Sequence, residues 1–212
     1  LAESEDESSM FCEGSGPLYQ RLANVGRDMS DCGGYSPVAQ MARHGVLNDK
    51  LLAVHGNYLD DNDICLLAEG GTSLAHCPRS HDYFGHAPFR FEELQSAGVN
   101  VCLGTDSLAT VKEVDAELDM FAEMRMFRKK NPDACPEIIT AMATVNGARA
   151  LGWAGKVGEI STGVCADLLA VPYSGSVDSA YDEVIEHYGP VAVMVDGQWE
   201  IPPTSLADYH GA

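Results

Sequence analysis

Three apolar runs mark the middle of the chain, and each ends in a polar cluster: LLAVHGNY (51–58), TSLAHCP (72–78) and VNVCLGTD (99–106). Between them lie segments of helical pattern, DDNDICLLAEGG (60–71) and FRFEELQSAGV (89–99), and a long amphipathic stretch follows at 114–130. Strands separated by helices of about 10–15 residues predict βαβ units and parallel pairing, since parallel neighbours need a crossover that a hairpin cannot supply. In a (β/α) barrel the C-terminal ends of the strands face the active site. That is where HGNY, HCPRSH and GTDS fall.

The flanks differ. Residues 4–13 and 16–26 read as short helices, and 26–36 as a polar, Gly-rich loop. Ser36 is the expected N-cap of the next helix, with Pro37 at its first position and Gly45 near its stop. After one more helix, at about 136–152, the composition changes to Gly-punctuated β segments at 155–174 and 190–202. Asp196-Gly197 is a hairpin-turn signal. The expected organisation is a catalytic unit over 1–152 and a partial β-rich composite unit over 153–212.

The 212 residues carry 13 basic and 32 acidic side chains, a formal charge of −19. Such a surface repels nucleic acid and anionic membrane, and fits a chain acting on a small molecule. No apolar run approaches the roughly 20 residues that span a bilayer. The seven cysteines are scattered without a C-x-x-C pair. Cys65, Cys77 and Cys102 lie in apolar segments, and reduced structural thiols in a cytoplasmic protein are expected.

His55, His76 and Asp106 each end a predicted parallel strand. In this order the text LLAVHGNYLDDNDICLLAEGGTSLAHCPRS, then YFGHAPF, then LQSAGVNVCLGTDSLA resembles the amidohydrolase superfamily. The resemblance is to its branch of chlorohydrolases and adenosine, S-adenosylhomocysteine and guanine deaminases. The tail GKVGEISTGVCADLLAV is similar to that family's closing β segment. The resemblance implies the C-terminal half of a metal-dependent (β/α)8 TIM barrel plus part of a β-sandwich appendage. It also implies one divalent metal, zinc or alternatively iron, with Asp106 as a ligand. No H-x-H occurs, and Glu3 fits the Glu of the fifth-strand H-x-x-E only if its His precedes Leu1. The expectation is therefore a piece of a longer enzyme that alone binds metal weakly or not at all. It would pair with its missing N-terminal half or form a homo-oligomer.

For the site, the resemblance assigns catalysis to His55, Asp106 and Glu3, and substrate contact to His76, His81 and Ser107, with Arg79 and His86 in the same loop. Each has a plainer reading. An Asp in a tight turn often bonds its own backbone, and taken alone Asp106 fits that equally well. Glu3 belongs to an acidic run, and the histidines could hold a structural loop. The activity implied is deamination of a purine-like nitrogen heterocycle. The alternatives are a triazine chlorohydrolase or aminohydrolase, a cyclic amidase, or an inert fragment.

Overall fold

The computed structural model describes residues 1–111, 117–188 and 191–203. It begins with α1 (Glu5–Glu13) and α2 (Gly16–Asn24). The Ser4 side chain caps α1 by accepting from the Glu7 amide, and Gly14 closes it in a left-handed conformation. In α3 (Pro37–Arg43) the Ser36 hydroxyl accepts from the Ala39 amide, as the sequence predicts. The same hydroxyl donates to Asp63 at the start of α4 (Asp61–Gly70), whose capping box is formed by Asp60 and Asp63.

Three parallel strands carry the centre: β1 (Leu52–Val54), β2 (Ser73–His76) and β3 (Val101–Leu103). Leu52 pairs with Ser73, and Leu74 with Val101. The strands are shorter than the apolar runs for local reasons. His55 (φ 73°) and Gly56 (φ 60°) turn left-handed directly after β1. Pro78, with only Cys77 between it and the end of β2, opens α5 (Pro78–Phe84), a helix where the sequence reads as loop. Gly104 ends β3, and α6 (Phe91–Ser96) supplies the crossover before it.

One face of this sheet presents Leu74, Val101 and Leu103 to Leu67, Leu94, Phe127 and Ile139, in the larger hydrophobic core. The other packs small residues, Ala75 and Cys102, against Ala150. Both faces are covered, as parallel sheets require. Gly56 shows how tight the first face is. A Cβ there would lie 3.0 Å from both δ-methyls of Leu74. Gly56→Ala is expected to destabilise the protein by about 1–3 kcal/mol, read from the urea midpoint, because it adds left-handed strain to overpacking.

The long helix α7 (Met120–Lys130) forms, but residues 114–116 of the expected helix lie outside the described residues. The expected helix at 136–152 is two, α8 (Pro136–Ala143) and α9 (Val145–Ala150), broken at Thr144 (φ −129°, ψ −96°). Asn146 donates to the Val101 carbonyl at 2.9 Å and ties α9 to β3. A tenth helix, α10 (Ala180–Glu186), is not anticipated by the sequence. It packs on α7 and α8, burying Ile185. Arg128 pairs with Asp182 at 2.5 Å, and Arg125 donates to the His187 carbonyl and stacks on Tyr188. The basic end of α7, readable as a solvated helix end, is thus the seat of α10.

The last strands, β4 (Leu168–Ala170), β5 (Ala192–Val195) and β6 (Gln198–Ile201), make an antiparallel sheet in that order. Asp196 (φ 48°) and Gly197 (φ 76°) form the predicted hairpin turn.

The expected barrel half and β-sandwich are corrected here. The chain is an α/β fold with two small open sheets of three strands each, not a (β/α)8 TIM barrel. Barrel closure takes about eight staggered strands. Three strands of three or four residues leave two edges, and residues 1–3 lie along the outer edge of β1. Among the described residues no second sheet stacks on β4–β6. No helix among them is long and apolar enough to cross a membrane. Cys77 and Cys102 are buried as expected, whereas Cys65 is exposed.

Candidate functional site

The polar ends of the three parallel strands converge on one side. The opening residues join them: the Gly56 amide donates to the Leu1 carbonyl, and the Asn57 and Tyr58 amides to Ala2. The Glu7 carboxylate clamps this segment, accepting from the amides of Ala2 (3.2 Å) and Glu3 (2.8 Å). The Glu3 carboxylate is thereby set 3.9 Å from the half-buried imidazole Nε2 of His55. Two residues remote in sequence, named together only by resemblance, do meet.

Asp106 follows β3 in a left-handed conformation (φ 53°) and is exposed. The buried Ser80 hydroxyl donates to its Oδ2 at 2.6 Å. Ser107 caps a 3-10 turn (Leu108–Thr110), its side chain accepting from the Ala109 amide. Asp106 and His55 share an uncommon feature. Both hold positive φ, uncommon outside glycine and commonest among Asn, Asp and His; Ala2 and the hairpin residue Asp196 hold it too.

His76 is buried, its ring stacked on Phe89 at 3.8 Å and facing Phe127 edge-on. Burial, and then the neighbouring His81 and His55, hold its pKa well below the ordinary histidine value. It is neutral, and its Nδ1 has no hydrogen-bond partner among the described residues. His81 lies edge-on to His76, and its Nε2 meets the Ala87 carbonyl at 2.9 Å. Burial lowers its pKa as well. His86 lies beyond, 3.3 Å from the Tyr58 hydroxyl. Its pKa is lowered by burial, with Glu3 opposing that shift. A cleft of about 200 Å³ runs past His76, His81, His86 and Phe89.

A tight protein metal site takes three or four side-chain ligands in the case of zinc. Among the described residues no three His, Cys, Asp or Glu side chains converge to hold an ion. Asp106 has one oxygen engaged by Ser80, and His55 faces a carboxylate. The donor set of the described residues does not make up a metal site, and the expected zinc-binding character is corrected accordingly.

The amidohydrolase family model matches residues 25–199. The chain belongs to the amidohydrolase family. This amidohydrolase is 36% identical over 165 residues to the 5-methylthioadenosine/S-adenosylhomocysteine deaminase of Syntrophobacter fumaroxidans, a match covering 76% of this chain and 36% of that protein. It is 35% identical over 163 residues to the 5'-deoxyadenosine deaminase of Methanoregula boonei, covering 73% and 36%. The crystal structure of an adenosine deaminase from Xanthomonas campestris with bound zinc superimposes with a TM-score of 0.73 at 27% identity, covering 98% of this chain and 47% of that one. The chain spans about a third of the length of the curated relatives and about half of that solved chain. These relatives place it in the deaminase-type branch of the superfamily, and membership suggests a metal cofactor in the full protein.

One residue of this amidohydrolase's site region escapes a sequence reading. Glu123 on α7 is wholly buried, its Oε2 accepting from the Arg79 amide at 2.9 Å. Its Oε1 has no hydrogen-bond partner among the described residues, and the Arg79 guanidinium lies 3.9 Å away. Burial, opposed by Arg79, pushes its carboxyl up to about 7. Glu123 shares the buried face of α7 with Met124 and Phe127, which its sequence position alone does not disclose. A raised carboxyl binds its proton more tightly folded than unfolded. Its contribution to stability is full at low pH and is lost as pH rises through the window from 4.5 to about 7. Glu123→Gln should match the parent at pH 5 and exceed it at pH 8 by on the order of 2 kcal/mol in urea denaturation.

Proposed function

We propose that the full-length protein hydrolyses a C–N bond of a small nitrogen heterocycle, releasing ammonia from the amino carbon of a purine-like ring. The observation that carries this reading is the Glu3–His55 pair, a carboxylate 3.9 Å from an imidazole at the mouth of the parallel sheet. The names of the similar deaminases support it.

In this reading a water attacks the ring carbon bearing the amino group. Asp106 takes the proton of that water. His55 stabilises the charge developing at the tetrahedral carbon, and Glu3 delivers a proton to the adjacent ring nitrogen. Asp106 returns that proton to the amino nitrogen, the carbon–nitrogen bond breaks to release ammonia, and the hydroxyl proton passes to the Glu3 carboxylate as the ring carbonyl forms. His76 and His81, neutral, offer hydrogen bonds or apolar contact to the substrate without adding charge. Ser107 orders the turn that carries Asp106. We propose the metal suggested by family membership as a feature of the full-length protein, where Asp106 would be one ligand beside others outside the described residues. We also retain as a proposal the division at 152 between a catalytic unit and an appendage.

The test is product analysis. Full-length protein is incubated with adenosine, 5'-deoxyadenosine, 5-methylthioadenosine, a chlorotriazine and a cyclic amide, and the products are identified. Ammonia from an adenine nucleoside is expected. Chloride or a ring-opened acid as the sole product would overturn the proposal.

A further inference from the structure

Asp106 sits on an exposed turn, where a carboxylate has many rotamers open to it, yet a short bond from a described residue holds it. What supplies that bond lies behind it. Ser80, 2% exposed, stands in the first turn of α5 and donates to Asp106 Oδ2 at 2.6 Å. The residue before it, Arg79, is fixed to α7 by its amide, which donates to Glu123 Oε2 at 2.9 Å, and to the segment before α7 by its guanidinium, which donates to the Glu117 carbonyl at 3.0 Å. Glu123 is 0% exposed, and it is the side chain through which α7 grips the backbone of that turn.

A buried carboxyl is costly to desolvate and is retained where its bonds fix a geometry. A helix-packing role alone would be filled better by an apolar side chain, as it is one turn on by Phe127. We infer that Glu123 is a positioning residue for Asp106, acting through Arg79 and Ser80. Its acceptor oxygen sets the register of α5 against α7, and that register aims the Ser80 hydroxyl at the Asp106 carboxylate. A shift of about 1 Å at Ser80 would break the bond and free the carboxylate to rotate. The required property is the acceptor, not the charge, so a glutamine should serve.

The inference rests on the proposed role of Asp106, and the experiment separates the two. In the full-length protein, Ser80→Ala is expected to lower kcat about 10-fold and Glu123→Ala about 10- to 100-fold, with KM moved less than about 3-fold. Glu123→Gln should stay within about 3-fold of the parent. Ser80→Ala combined with Glu123→Ala should be no slower than Glu123→Ala alone within about 2-fold, because both cut one chain of contacts. Glu123→Leu, which fills the site without an acceptor, serves where Glu123→Ala does not fold.

Hydrogen exchange supplies a readout independent of turnover. Peptides covering 104–110 should exchange faster in Ser80→Ala and Glu123→Ala, while those covering 52–56 keep the parental rate. Losses that multiply in the double variant, an unaltered kcat in Ser80→Ala, a Glu123→Gln as slow as Glu123→Ala, or faster exchange along the whole chain would each overturn the inference. A full-length protein that releases no ammonia from any heterocycle refutes the proposed activity instead, and the exchange pattern then decides the role of Glu123.

Discussion

Asp106→Asn should lower turnover of the full-length protein by at least about 1,000-fold, with a much smaller change in substrate affinity. The choice of asparagine matters. Asp106 holds φ 53°, and asparagine tolerates that left-handed conformation better than any other non-glycine residue. The amide oxygen can still accept from the Ser80 hydroxyl, so the turn keeps its 2.6 Å bond. The substitution removes only the negative charge and the proton-accepting oxygen. Ammonia release under substrate saturation, with circular dichroism to verify folding, measures the effect. Asp106→Ala would be a poorer test, because strain and the loss of the Ser80 bond would mix with the chemistry. A rate within about 10-fold of the parent would make Asp106 a turn-forming residue, the plainer reading its sequence position also allows.

The sequence disclosed much of this, and the physical reason is local. Alternating apolar runs with helices between them fix β1, β2 and β3 as parallel neighbours, because each run needs cover on both faces. Ser36, Pro37 and Asp196-Gly197 act through their own backbone, so their cap and turn are readable without tertiary knowledge. What could not be read depends on contacts between distant segments. α10 exists because Arg125, Arg128 and the buried Ile185 meet there, and nothing in its own residues announces that partnership. The helix α5 was hidden because HCPRSHDYFGH looks like a polar loop, yet Pro78 starts a turn that α7 stabilises from behind. The barrel expectation extends the strand–helix rhythm by resemblance, and three short strands with open edges do not carry it. In the site, the resemblance names Glu3 and His55 one by one, and only the fold shows that they meet. Glu123 was passed over because an acid within an apolar helix stripe looks like a packing irregularity until its burial is seen.

His55→Asn in the full-length protein is expected to cost between about 100- and 10,000-fold in kcat, the range usual for a positioned acid–base or electrostatic group. His55 stands at φ 73°, directly after β1, and its amide still donates to the Ala75 carbonyl at 2.9 Å. The strand is thus continued by one backbone bond while the side chain swings towards Glu3. Asparagine accepts this backbone, so the pairing of β1 with β2 should survive and the melting temperature should move little. Lost is the imidazole, 3.9 Å from the Glu3 carboxylate. If His55 and Glu3 act on one reacting group, their effects are coupled. Glu3→Gln in the His55→Asn background should then cost far less than Glu3→Gln alone. If they act independently, the two losses multiply. Single-turnover rates of the four proteins of this cycle decide the matter. A His55→Asn protein with near-parental turnover would remove the imidazole from the chemistry and leave its strained backbone as a purely structural turn.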